Sequence, residues 1–80
     1  MGVTEDLADA LACDVLEAGE KLGDDTLIDA GAKALGTSSS VTQDAFMTSI
    51  RVRTAEARAR KLLRERLAKA LAERKPAEPE

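Results

Sequence analysis

Residues Ser49–Lys75 read SIRVRTAEARARKLLRERLAKALAERK, and the fold turns on how this stretch is taken. It contains neither Gly nor Pro, and it holds ten of the chain's twelve basic residues. Upstream, the nearest breaker is Gly36, followed by the polar run Thr37-Ser38-Ser39-Ser40. Ser40-Val41-Thr42-Gln43 then matches the S-x-x-Q capping box, and Asp44 adds negative charge near a helix start. The next breaker is Pro76. These signals predict one helix from about Val41 to Arg74, roughly 50 Å long at 1.5 Å per residue.

Two shorter helices are expected before it. Thr4 can cap the first, with Glu5 and Asp6 in its opening turn. Leu7, Leu11, Val15, Ala18 and Leu22 recur at intervals of three and four and make an apolar stripe. Lys21 followed by Gly23 is a stop signal. Asp24 or Asp25 can cap the second helix, which carries Leu27, Ile28, Gly31, Ala32 and Leu35. Lys33 and Gly36 repeat the stop signal, so LEAGEKLGDD and IDAGAKALGTS read as two helix ends of similar chemistry. The fold class is therefore all-α: two short N-terminal helices followed by one long helix, forming a single three-helix domain over residues 1–75. The Pro-punctuated acidic segment 76–80 is expected to be a disordered tail.

On a helical wheel the long helix has two apolar faces. One carries Phe46, Ile50 and Ala57, interrupted by Arg53, and the other carries Ala45, Val52, Ala59, Leu63 and Ala70. That is more apolar surface than two short helices need. The chain is also poor in large apolar mass, with one Phe and no Trp or Tyr among 80 residues. Domains this small commonly depend on disulfides, metal or oligomerisation. One Cys and no His leave no internal disulfide and no zinc cluster. A helical-bundle homodimer is the expectation, with Leu62, Leu63, Leu67 and Leu71 at the dimer interface and the helices antiparallel.

The net charge of −3 conceals a split. Residues 1–50 hold ten acids and two bases, while residues 51–75 hold ten bases and three acids. The split allows the basic helix to meet acids in its own chain, in a twin chain, in a protein target, or to meet phosphates. Glu56–Arg60 and Glu65–Lys69 are i,i+4 pairs in the favourable order. Arg58, Arg64 and Arg66 have no acid at i±4, and Arg53 lies within an apolar face. Arg53, Arg58, Arg60, Arg64 and Arg66 are accordingly the expected partner-binding residues.

Catalysis is not expected. Without His, Tyr, a phosphate-binding Gly loop or a nucleophile elbow, the one candidate is Cys13. Asp9 and Glu17 flank it at i±4 and oppose a thiolate. The row Asp6, Asp9, Asp14, Glu17 and Glu20 lies along one helix, whereas calcium ligands usually come from a loop. No metal site and no cofactor are expected. The start of the chain lacks a basic and apolar leader, and no apolar run reaches membrane-spanning length, so a cytoplasmic location is expected with no membrane partner.

Two functional readings follow. The first is a non-catalytic homodimer serving as a protein-interaction or regulatory module through its long basic amphipathic helix. The alternative is a small nucleic-acid-binding transcriptional regulator. Ala32, Leu35, Gly36 and Thr37-Ser38 fall where a helix-turn-helix places its small residue, apolar residue and turn, but Thr42 stands where an apolar residue is wanted. The acidic balance and the lack of aromatic stacking groups favour the first reading.

Overall fold

The computed structural model describes residues 2–74, so the expected tail at 76–80 lies outside the described residues. The described residues form three helices and no strand: α1 (Val3–Leu22), α2 (Leu27–Gly36) and α3 (Ser40–Arg74). The all-α architecture of two short helices and one long one is as the sequence predicts. At 35 residues, α3 is about 52 Å long and dominates a molecule 64 Å in its longest dimension.

The helix ends follow from local chemistry, with shifts of one or two residues. α1 starts at Val3, because Gly2 and not Thr4 occupies the cap position. The Glu5 side chain accepts a hydrogen bond from the Gly2 N–H at 3.1 Å, the half of a capping box that a glycine permits. Gly23 ends α1 in the left-handed conformation at φ 66°, and the Gly19 carbonyl accepts from Asp24 N–H at 2.9 Å. Asp24 then holds the turn into α2. Its Oδ1 accepts from both the Thr26 N–H (2.9 Å) and the Thr26 hydroxyl (2.6 Å). The hydroxyl bond, and then the backbone one, hold the Asp24 carboxyl below its ordinary value.

The second expected stop differs from the first. Gly36 is the last residue of α2 and, unlike Gly23, has no positive φ. The chain instead bends through Thr37, whose hydroxyl donates to the Ala34 carbonyl at 2.9 Å. Ser39, not Ser40, caps α3: its hydroxyl oxygen accepts from Thr42 N–H at 3.1 Å. This frees Gln43 from the capping role, and its Nε2 donates across to the Ala32 carbonyl of α2 at 2.9 Å.

The core is small and lies entirely against the first half of α3. Phe46 and Ile50 are buried against Ala8 and Ala12 of α1, with Leu11, Val15, Leu16, Ile28, Ala32 and Leu35 partly buried around them. The row facing the core is thus Ala8–Ala12–Leu16, with Leu11 and Val15 beside it. The expected stripe ran through Leu7 and Leu22, which are 64% and 71% exposed. Two large side chains from α3 need small partners opposite them, and the alanines provide the space. Gly31 serves α2 in the same way. A Cβ at that position would lie 3.2 Å from Cζ of Phe46.

Candidate functional site

From Ala55 to Arg74 every residue of α3 is exposed. The helix projects beyond its own bundle and carries with it the residues that the sequence marks as an interface. Leu62, Leu63, Leu67 and Leu71 are 52%, 62%, 56% and 54% exposed. None of the described residues covers them. Ala57, expected on the core face with Phe46 and Ile50, is also exposed, at the open flank where the end of α1 meets α3.

The five arginines fall into two groups. Arg53 makes a bidentate pair with Asp9: Nε to Oδ1 and Nη2 to Oδ2, both 2.8 Å. That fork geometry is the strong form of an arginine–carboxylate contact. The hydrogen bonds from Arg53 keep the Asp9 carboxyl below its ordinary value and push the Arg53 guanidinium up. Arg60 pairs with Glu56 on the helix surface, Nε to Oε2 at 2.8 Å, as the i,i+4 spacing predicts. Among the described residues Arg58, Arg64 and Arg66 form no ion pair, and the expected Glu65–Lys69 pair does not close. Among the described residues the basic helix therefore meets its own acidic half through Arg53 alone, and Arg58, Arg64 and Arg66 are left exposed.

A groove of about 600 Å³ runs along the flank where α1 crosses α3. Its α3 side consists of Ala45, Thr48, Ser49, Val52 and Arg53, and its α1 side of Glu5, Asp6 and Asp9. Val52 stands 62% exposed in it. The groove thus pairs an apolar floor with an acidic wall. A shallower depression on the other flank joins Leu16 and Glu20 of α1 to Thr54, Ala57, Arg58 and Lys61 of α3.

The sequence did not reveal the groove, since Glu5 and Asp6 read as first-turn charge and Asp9 as one member of an acidic row along α1. The signal was Arg53, a cation inside an apolar face, which requires an acid on the element packed against it. Cys13 is exposed, and among the described residues no three of His, Cys, Asp and Glu come together. No described helix is long and apolar enough to cross a membrane. Comparison with family models, with curated proteins and with solved structures finds no match.

Proposed function

We propose that the chain is a non-catalytic protein-interaction module with a regulatory role, a cytoplasmic homodimer that uses its long basic amphipathic helix to assemble and to engage an acidic protein partner. The observation that carries this reading is the uncovered second half of α3. A helix of some 20 residues on which no other described element packs is marginal in water, because most helix stability in proteins comes from tertiary packing. Four leucines on such a segment are a contact surface awaiting a partner. Arginines interleaved with them add charge selectivity.

The non-catalytic part of the reading rests on the side chains available. The 80 residues include no His and no Tyr. Cys13 has Asp9 and Glu17 one turn to either side, surroundings that disfavour a nucleophilic thiolate. Sedimentation of the native chain at micromolar concentration tests the assembly. A dimer that Leu67→Glu converts to monomer is expected, and a stable native monomer discards the reading.

A second reading, nucleic-acid binding, is favoured by the placement of four cations. Arg51, Arg58, Lys61 and Lys69 fall within an arc of about 80° on the α3 wheel, at 100° per residue, although Glu65 sits among them. This reading predicts duplex binding that falls steeply with salt and is lost in Arg58→Glu/Lys61→Glu. Its helix-turn-helix form has less support. Such motifs read bases with the N-terminal residues of the second helix, and Ser40–Ile50 contains Asp44 and no base.

A further inference from the structure

We propose that the occupant of the α1–α3 groove is the projecting half of α3 from a second copy of this chain, with the two α3 helices antiparallel and Val52 of each copy facing Leu63 of the other. This deepens the dimeric reading above and rests on it.

Three observations lead there. The groove and the overhang use the same surface of one helix. At 100° per residue, Ala45, Val52, Ala59, Leu63 and Ala70 lie within about 40° of one another. The first two of these stand in the groove, and the last three continue the strip along the overhang. A strip with a groove at one end and Leu63 uncovered between two alanines at the other is self-complementary when the second helix runs in reverse. Each copy then fills the other's groove, and the contact closes on itself with no free end.

Charge selects the same direction. The groove wall presents Glu5 and Asp6, while the overhang carries Arg64, Arg66 and Arg74 around Leu67. Antiparallel pairing brings these together. Parallel pairing would set the basic half of one helix beside the basic half of the other, and like charges in contact oppose association.

The positions of the two features also give the register. The groove spans Ala45–Arg53 and is centred near Ser49. The exposed leucines span Leu62–Leu71 and are centred near Leu67. Superimposing those centres in antiparallel sense brings Val52 to within one residue of Leu63, and the neighbouring register in which the shared strip meets itself sets Val52 against Leu63, Ala45 against Ala70, and Leu67 near Thr48 beside the acidic wall.

The test is disulfide trapping in a Cys13→Ser background, read on a non-reducing gel alongside sedimentation of the native chain. Val52→Cys and Leu63→Cys are combined in one chain. The two sites are eleven residues apart on a continuous helix, about 16 Å, so a bond between them within one chain is geometrically impossible. Ala45→Cys with Ala70→Cys is the parallel experiment, and it removes no large apolar side chain from the contact.

The expected result is a covalent dimer from each double variant under mild oxidation, with the 52–63 or 45–70 bridge recovered by peptide mapping, and little from any single variant. Efficient trapping by Leu63→Cys alone would set that residue against its own counterpart, in parallel helices or in a different antiparallel register, and would overturn the inference while leaving the dimer intact. A native dimer with neither double variant trapped overturns the register and the groove assignment. A native monomer, with no trapping, overturns this inference together with the reading it rests on.

Discussion

Arg53 grips Asp9 with both branches of its guanidinium, two bonds of 2.8 Å joining residues 44 positions apart. This pair is the sole ion pair between α3 and the acidic half of the chain among the described residues, and it pins the crossing of α1 over α3 that forms the groove. Both side chains are close to half exposed, so solvent screens the interaction and its contribution to stability is modest.

The pair makes stability depend on acid in a definite sense. Asp9 titrates below its ordinary value in the folded chain because Arg53 donates to the ionised form. A depressed folded value stabilises above the unfolded pKa of about 3.9 and ceases to do so as pH falls through the folded value. Asp24, lowered by Thr26, contributes with the same sign. Asp9→Asn is therefore expected to unfold at a lower temperature than the native chain at pH 7. The gap between them should close below about pH 4. Thermal melts followed by circular dichroism at both pH values check this.

The core offers a sharper lesion. Among the described residues Phe46 is the one large side chain with no exposure at all, and Ile50 at 5% is its nearest rival. Phe46→Ala should cost about 3–5 kcal/mol. Small domains rarely have more than about 5 kcal/mol to lose from a single core. The variant is expected to be largely unfolded at 25 °C, and chemical denaturation of native and variant chains measures the difference.

Gly23 gives a prediction independent of packing. Its φ of 66° belongs to the left-handed region, and no atom would lie within 4 Å of an added Cβ. Gly23→Ala thus introduces backbone strain without a clash, costing about 1–2 kcal/mol. Gly23→Asn should cost less, since Asn tolerates this conformation better. Equilibrium urea unfolding of the two variants ranks them.

What was legible in the sequence was what local chemistry decides. Gly23 and the serine run mark helix ends through bonds among near neighbours, and the 35-residue span of α3 needed only the lack of breakers. Capping slipped by one residue at Ser39 because three consecutive serines offer equivalent hydroxyls. Which of them caps depends on where α2 releases the chain. Gly36 looked like Gly23 but keeps an ordinary φ, because Thr37 and Ser39 close the turn by other bonds. The face of α1 was misplaced because the leucine spacing outweighed the alanines on the wheel. In three dimensions Phe46 and Ile50 supply the volume, and Ala8 and Ala12 supply the room. Asp9 could not be distinguished from its acidic neighbours until α1 was laid across α3.

The overhang carries the most discriminating prediction for assembly. In an isolated chain, residues 55–74 would have only their own backbone bonds and surface pairs such as Glu56–Arg60 to keep them helical, and a segment of that length is marginal without packing. Helicity and association should therefore be coupled. On dilution of the native protein, circular dichroism should lose part of its helical signal before the core melts, at the concentration where sedimentation shows dissociation. Leu67→Glu should lower the association constant by at least about tenfold, equivalent to 1.4 kcal/mol. At a concentration where the native chain is dimeric, it should reproduce the reduced helicity of the diluted native protein. The Phe46–Ile50 core lies outside the overhang, so the cooperative thermal transition should persist in that variant. A Leu67→Glu chain with full native helicity as a monomer would mean that the overhang is held by its own sequence and that its leucines are not the source of its order.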